Sequence, residues 1–281
     1  MPQPHSHSTS HNTAGAIGHT RSGGHTVTGP GGQGMTGPGG APGVAPVAVS
    51  GPGAGQPVVL DRRDGPNGEV VLRQHGQLLQ IIANGTFLMD TSDGRSERLL
   101  VRAALEELRR GPHREPPRLL IGGLGVGFSF AEAADEPAWG RITIVEREEA
   151  VIDWHRQDGP LARLSARALR DPRTEIVHAD LLDHLGRDAV GAQPFDVLCL
   201  DIDNGPDWTV TDGNGTLYSS GGLAACRASL APGGVLAVWS AQASPTFEEA
   251  LRNAGFQRVR TDEIPVARGV PDVVHFATKP A

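Results

Sequence analysis

Beyond Pro117 the apolar residues gather in short continuous runs rather than in alternation. Leu119-Leu120-Ile121, Ile142-Thr143-Ile144-Val145, Glu175-Ile176-Val177-His178 and Val197-Leu198-Cys199-Leu200 recur with helical segments between them. Near-continuous runs of this kind are expected of parallel strands covered on both faces by helices. The pattern predicts strands at 118–121, 141–145, 174–178, 195–200, 235–239 and 273–277. It predicts helices near 128–134, 148–156, 161–169, 181–185, 219–229 and 246–254. Upstream, Glu69 to Thr91 reads as about three antiparallel strands, with Asn84-Gly85 as a hairpin turn because both residues tolerate positive φ. Ser96 to Arg110 follows as an amphipathic helix with Leu99, Leu100, Ala103 and Leu108 as its apolar stripe, ended by Gly111-Pro112. The fold class expected is α/β, a doubly wound and mostly parallel Rossmann-like sheet carrying a small N-terminal β-rich appendage.

Composition divides the chain into three parts. Residues 1–57 are built from Gly, Pro, Ser, Thr and His, with Arg21 as the one charged residue before Asp61. That segment has too little apolar content to offset the entropy of ordering, so it is expected to be a disordered tail. His5, His7, His11, His19 and His25 are irregularly spaced within it and read as solvated residues rather than a metal site. Residues 58–116 then hold the strands and the connecting helix, and 117–281 the nucleotide-binding sheet. The formal net charge of −7 argues against a nucleic-acid surface. No apolar run reaches membrane-spanning length, and no basic start leads into an apolar core as a secretory signal would. Cys199 and Cys226 form no paired framework and sit among apolar residues, which fits core positions in a reduced, cytoplasmic setting.

The candidate chemistry lies at the ends of the strands. Gly122, Gly123, Gly125 and Gly127 follow the first long strand and precede a helix, where glycine permits close approach of backbone to a ligand. Glu146, 19 residues after Gly127, ends the next strand, where a carboxylate can accept from both hydroxyls of a ribose. Asp180 follows the third strand; it suits an adenine amino group and equally an N-cap for the helix from Leu181. Asp201 ends the fourth strand, across the expected switch point from the first, and opens Asp201-Ile202-Asp203-Asn204-Gly205-Pro206-Asp207-Trp208. This acidic segment would draw and position an amine. Tyr218, the single tyrosine, precedes a helix and is a candidate for the wall of an acceptor pocket or for a lid without a specific role. No Ser/His/Asp spacing or metal-ligand cluster stands out.

Taken together, Ile121-Gly122-Gly123, Val145-Glu146, Asp171-Pro172-Arg173 with its strand to Asp180, and Ala231-Pro232-Gly233-Gly234-Val235-Leu236 resemble the spermidine synthase family. These are polyamine aminopropyltransferases built on the class I S-adenosylmethionine-dependent methyltransferase fold, and the similarity runs from about Glu69 to Ala277. The resemblance implies that Glu146 holds the ribose and Asp180 the adenine. It also implies that Asp201 orients the attacking amine and takes its proton, and that the protein is a homodimer. Two departures matter. Where the family's glycine turn carries an aspartate that pairs with the ammonium of decarboxylated S-adenosylmethionine, this chain has Gly125. The family's second acid in the loop after Asp201 aligns with Asn204, leaving Asp203 as the candidate replacement.

Loss of an acid at Gly125 removes selection for the decarboxylated donor and would leave turn amides for the carboxylate of S-adenosylmethionine. The expectation is therefore methyl transfer from S-adenosylmethionine to a small amine or similar nucleophile. The alternatives are aminopropyl transfer to putrescine and a nucleoside-binding module without catalysis.

Overall fold

The computed structural model describes residues 55–188, 193–210, 212–266 and 270–281. The tail expected over 1–57 therefore lies, for residues 1–54, outside the described residues.

Among the described residues there are two sheets. The first is a four-stranded antiparallel sheet of β1 (Val58–Gly65), β2 (Gly68–His75), β3 (Leu78–Ala83) and β4 (Thr86–Asp90), in that order. Asn84 and Gly85 both have positive φ, as a tight β3–β4 hairpin requires. One more strand is present than the sequence pattern predicts. β1 escapes the pattern because Asp61, Arg62, Arg63 and Asp64 fill it, and it lies at a sheet edge where burial imposes little alternation. It is anchored instead by polar contacts. Asp61 accepts from the Trp154 indole N–H at 2.8 Å, and Arg63 pairs with Asp153 at 2.6 Å.

α1 (Arg95–Leu108) connects the two sheets. Its buried stripe is Leu100, Val101, Ala104, Leu105 and Leu108, rotated from the expected one, with Leu99 and Ala103 only partly covered. Ser96 and Glu97 at its first turn, and Glu107 near its end, lie on the same buried face.

The second sheet has seven strands in the order β10-β11-β9-β8-β5-β6-β7. They are β5 (Arg118–Gly122), β6 (Arg141–Glu146), β7 (Thr174–His178), β8 (Phe195–Leu200), β9 (Leu230–Ser240), β10 (Gln257–Ile264) and β11 (Asp272–Thr278). β5 pairs in parallel with both β6 and β8, so the chain reverses its direction of winding between β5 and β8. Ligands bind outside the strand ends at such a point. β11 and β10 add on antiparallel beyond β9. β10 is absent from the sequence-based expectation for the same reason as β1: Arg258, Arg260, Asp262 and Glu263 make it a polar edge strand.

Side chains alternate between the faces of the large sheet. Leu119, Ile121, Val197 and Cys199 pack on one side, toward α1, α2 (Phe128–Asp135) and α3 (Glu149–His155). Leu120, Leu198 and Leu200 pack on the other, toward α5 (Leu181–Asp188), α6 (Ser220–Ser229) and α7 (Pro245–Asn253). A four-residue α4 (Ala162–Ser165) lies between α3 and β7. Val70, Leu72 and Ile81 of the small sheet enter the first of these cores. Both cysteines are fully buried. Among the described residues, no helix is long and apolar enough to cross a membrane.

Candidate active site

A cavity of about 1140 Å³ opens at the carboxyl edge of the parallel strands, walled on one side by the small sheet. Glu146, Asp180, Asp201 and Asp203 all line it.

The glycine turn between β5 and α2 forms its floor. Gly123 has φ +93°, and a Cβ there would collide with the carbonyl oxygen of Asp201, so glycine is what lets the turn and the end of β8 close on each other. Gly125 has φ +49°, and the place a side chain would take is filled by the Met89 sulfur from β4. The turn's N–H groups are largely committed. Gly123 donates to Val145 O (2.9 Å), Leu124 to Glu146 Oε2 (2.8 Å), Val126 to Met89 Sδ (3.3 Å) and Gly127 to Leu124 O (2.9 Å). The expected reserve of amides for a donor carboxylate is thus mostly taken inside the protein. Met89 and Glu146 account for two of these amides, and the turn's own backbone contacts for the other two.

From behind, His155 at the end of α3 supports the same turn. It is wholly buried, with Nε2 2.8 Å from the Gly125 carbonyl and Nδ1 2.9 Å from Ser165 Oγ. A carbonyl can only accept, so Nε2 carries the proton and Nδ1 accepts from the serine. Burial pushes its pKa down to about 4, which keeps the ring neutral.

Glu146 is nearly buried; besides Leu124 it accepts from Glu148 N–H at 2.8 Å, which fixes the carboxylate toward the cavity floor. Asp180 caps α5, its Oδ1 accepting from Leu182 and Asp183 N–H, while Oδ2 lies 3.9 Å from Arg147. Asp180 lines the cavity while it caps, so capping and ligand contact are compatible. Arg147, next to Glu146, donates to Asn214 Oδ1 at 3.0 Å, tying this end of the cavity to the loop after β8.

Asp201 is brought by β8 to the centre. Its Oδ2 lies 3.4 Å from Ser129 Oγ of α2. Burial, with the charges of Glu97 and Asp272 added, pushes its pKa up to about 8 against the Ser129 hydrogen bond. Glu97 and Asp272 are themselves raised, burial again being the first cause. Neither was singled out from the sequence. Glu97 looks like an ordinary helical glutamate and Asp272 like a loop residue before an apolar strand, so only the fold reveals them.

Asp203 serves its own loop: Oδ1 accepts from Asn204 and Val210 N–H at 2.8 Å each, and Oδ2 from Asn214 Nδ2 at 2.7 Å. Tyr218 ends a 3₁₀ helix, Asp212–Tyr218, and packs edge-on to Phe247 with ring centroids 5.6 Å apart, while its neighbour Leu217 is the residue that reaches the cavity. Burial pushes its phenol pKa upward.

No family model matches the chain. Polyamine aminopropyltransferases of Mycobacterium tuberculosis and Mycobacterium bovis are each 30% identical to it over 195 residues. The alignment covers 67% of this chain and 35% of theirs. The crystal structure of spermidine synthase from Thermotoga maritima superposes with a TM-score of 0.61 at 19% identity, over 79% of this chain and 73% of that one. A spermidine synthase in complex with the transition state analogue AdoDATO gives 0.63 at 20%, over 79% and 74%.

The chain is spermidine-synthase-like. The solved structures establish its methyltransferase-type fold, and the mycobacterial sequences carry the likeness over 195 residues. The spermidine-synthase-like chain spans about a third of the length of these curated relatives.

Proposed function

We propose that the protein transfers an aminopropyl group from decarboxylated S-adenosylmethionine to a small amine. The observation that carries this reading is the character of the cavity around Asp201. Carboxylates line it, and the neighbouring glycine turn has few amides to offer an anion. A donor with an ammonium and no carboxylate suits such a wall better than S-adenosylmethionine does. The names of the mycobacterial relatives support the same reaction class.

In this reading Glu146 receives the ribose hydroxyls and Asp180 the adenine amine. The acceptor nitrogen attacks the carbon bound to the sulfonium; an N–C bond forms, the C–S bond breaks, and a neutral thioether leaves. The acceptor sheds one proton in the process. Asp201, whose carboxyl titrates near neutral pH, is matched to take it. An ammonium bound beside it would favour its ionised form. Alignment of the nucleophile supplies most of the acceleration, because the leaving group needs no protonation.

Gly125, standing where the resemblance expects an aspartate, supports a second reading, methyl transfer from S-adenosylmethionine. The leaving nucleoside separates the two. Incubation with each donor and a panel of amines should release 5′-methylthioadenosine, the product of aminopropyl transfer. Release of S-adenosylhomocysteine would overturn the proposal in favour of methyl transfer. Nucleoside binding without either product would reduce the protein to a binding module.

A further inference from the structure

We infer that Asp272, assisted by Glu97, is the second anchoring carboxylate for the acceptor, taking the ammonium at the far end of a diamine whose near nitrogen lies at Asp201. The inference rests on the aminopropyl-transfer reading for its substrate and on the geometry for its residue.

The loop after β8 turns no free second acid to the cavity, since its Asp207 is exposed and lies outside the lining. Asp203 is held by three donors of its own loop, and Asn204 is buried, its carbonyl accepting from Ala241 N–H at 3.0 Å. The distal cation of a diamine would go unpaired there, and an unpaired buried charge is strongly unfavourable. Asp272 stands elsewhere on the same cavity wall, at the start of β11. Strand order puts β11 two spacings beyond β8 and the register sets Asp272 two residues further along than Asp201, so their backbones stand about 12 Å apart and their side chains close part of that gap. A short alkyl diamine with an ammonium at each end bridges that gap.

Around Asp272 the protein supplies few donors, the Trp239 indole N–H and one serine hydroxyl. Ser96 Oγ lies 2.7 Å from Asp272 Oδ2 and 3.1 Å from Glu97 Oε2, one hydroxyl proton between two carboxylate oxygens. Ser129 Oγ lies 3.2 Å from the Glu97 carbonyl and 3.4 Å from Asp201 Oδ2, again one proton between two acceptors. The two serines thus string Asp272, Glu97 and Asp201 into one line of carboxyl groups. An ammonium brings three donors and a positive charge, which this line lacks. Arg95, the cation on this part of the wall, is engaged by the Pro265 carbonyl at 2.8 Å and by Asp93 at 3.3 Å.

Equilibrium binding to the full chain, with 5′-methylthioadenosine present, tests this without relying on turnover. The wild type should hold 1,4-diaminobutane at least tenfold more tightly than 1-aminobutane. Asp272→Asn should lose that preference, weakening the diamine at least tenfold and the monoamine less than twofold. Asp272→Glu should restore part of it. Equal losses for both amines, no loss, or a wild type that does not distinguish them would each overturn the assignment. If discrimination follows Asp272 while neither donor is turned over, the residue assignment stands and the transferase reading falls.

Discussion

At the scale of single residues, Asp201 sets stability against function. Its carboxyl ionises near 3.8 in an unfolded chain and near 8 in the fold. Between those values the native state holds the extra proton, so this group's contribution to stability falls as pH rises from about 4 to about 8. Asp201→Asn removes that slope. The variant should melt higher than wild type at pH 8 and show a much smaller difference at pH 5, while transfer falls at least a hundredfold. Melting curves that run parallel across this range would refute the titration, and unchanged turnover would remove Asp201 from the chemistry. Glu146 behaves oppositely, because two backbone donors depend on it. Glu146→Ala should destabilise the fold by about 1–3 kcal/mol and weaken 5′-methylthioadenosine at least tenfold by calorimetry. Glu146, Asp180 and Asp201 are legible in the sequence because each closes or directly follows an apolar strand, and strand ends are where this architecture places ligands. Glu97 and Asp272 carry no such mark. They join Asp201 only through α1 and β11, whose relation is tertiary.

At the scale of elements, the glycine turn is clamped between β4 and α3. Met89 takes the Val126 N–H from the cavity side, and His155 holds the Gly125 carbonyl from the core side. The glycine spacing reveals the turn; nothing in the sequence names the clamp, because Met89 and His155 belong to elements far away along the chain. His155→Leu fills similar volume without the donor, whereas His155→Gln retains one. Leu should raise the donor KM at least fivefold with kcat at saturation within twofold, and Gln should recover most of the loss. If both variants are equally impaired, the ring matters for packing alone. Edge strands show the converse limit. β5 and β8 are readable because two buried faces demand unbroken apolar runs. β1 and β10 are half solvated and hold their places by charge and pairing, so no period betrays them. The stripe of α1 differs from the apolar period for a related reason: Ser96 and Glu97 turn inward and line the cavity, and apolar periodicity carries no trace of them.

At the scale of the whole molecule, the cavity belongs to neither sheet alone. Phe87, Met89 and Asp90 wall it from the small sheet; Glu146 and Asp201 floor it from the large one. The two are joined through α1, through Val70, Leu72 and Ile81 in the shared core, and through the Asp61 and Arg63 contacts to α3. A ligand spanning the cavity therefore touches both sheets, and its binding energy adds to the stability of the assembly as a unit. At a hundred times its Kd, 5′-methylthioadenosine should contribute about 2.7 kcal/mol, visible as one cooperative shift of the melting transition. Among the described residues, those that wall the cavity run from Asn67 to Asp272. A chain beginning at residue 55 should then show the same nucleoside affinity and the same ligand-induced shift as the full chain. A tenfold weaker affinity in the shortened chain would show that residues 1–54 contribute to the site. A biphasic melt, with one phase insensitive to ligand, would show instead that the two sheets unfold separately.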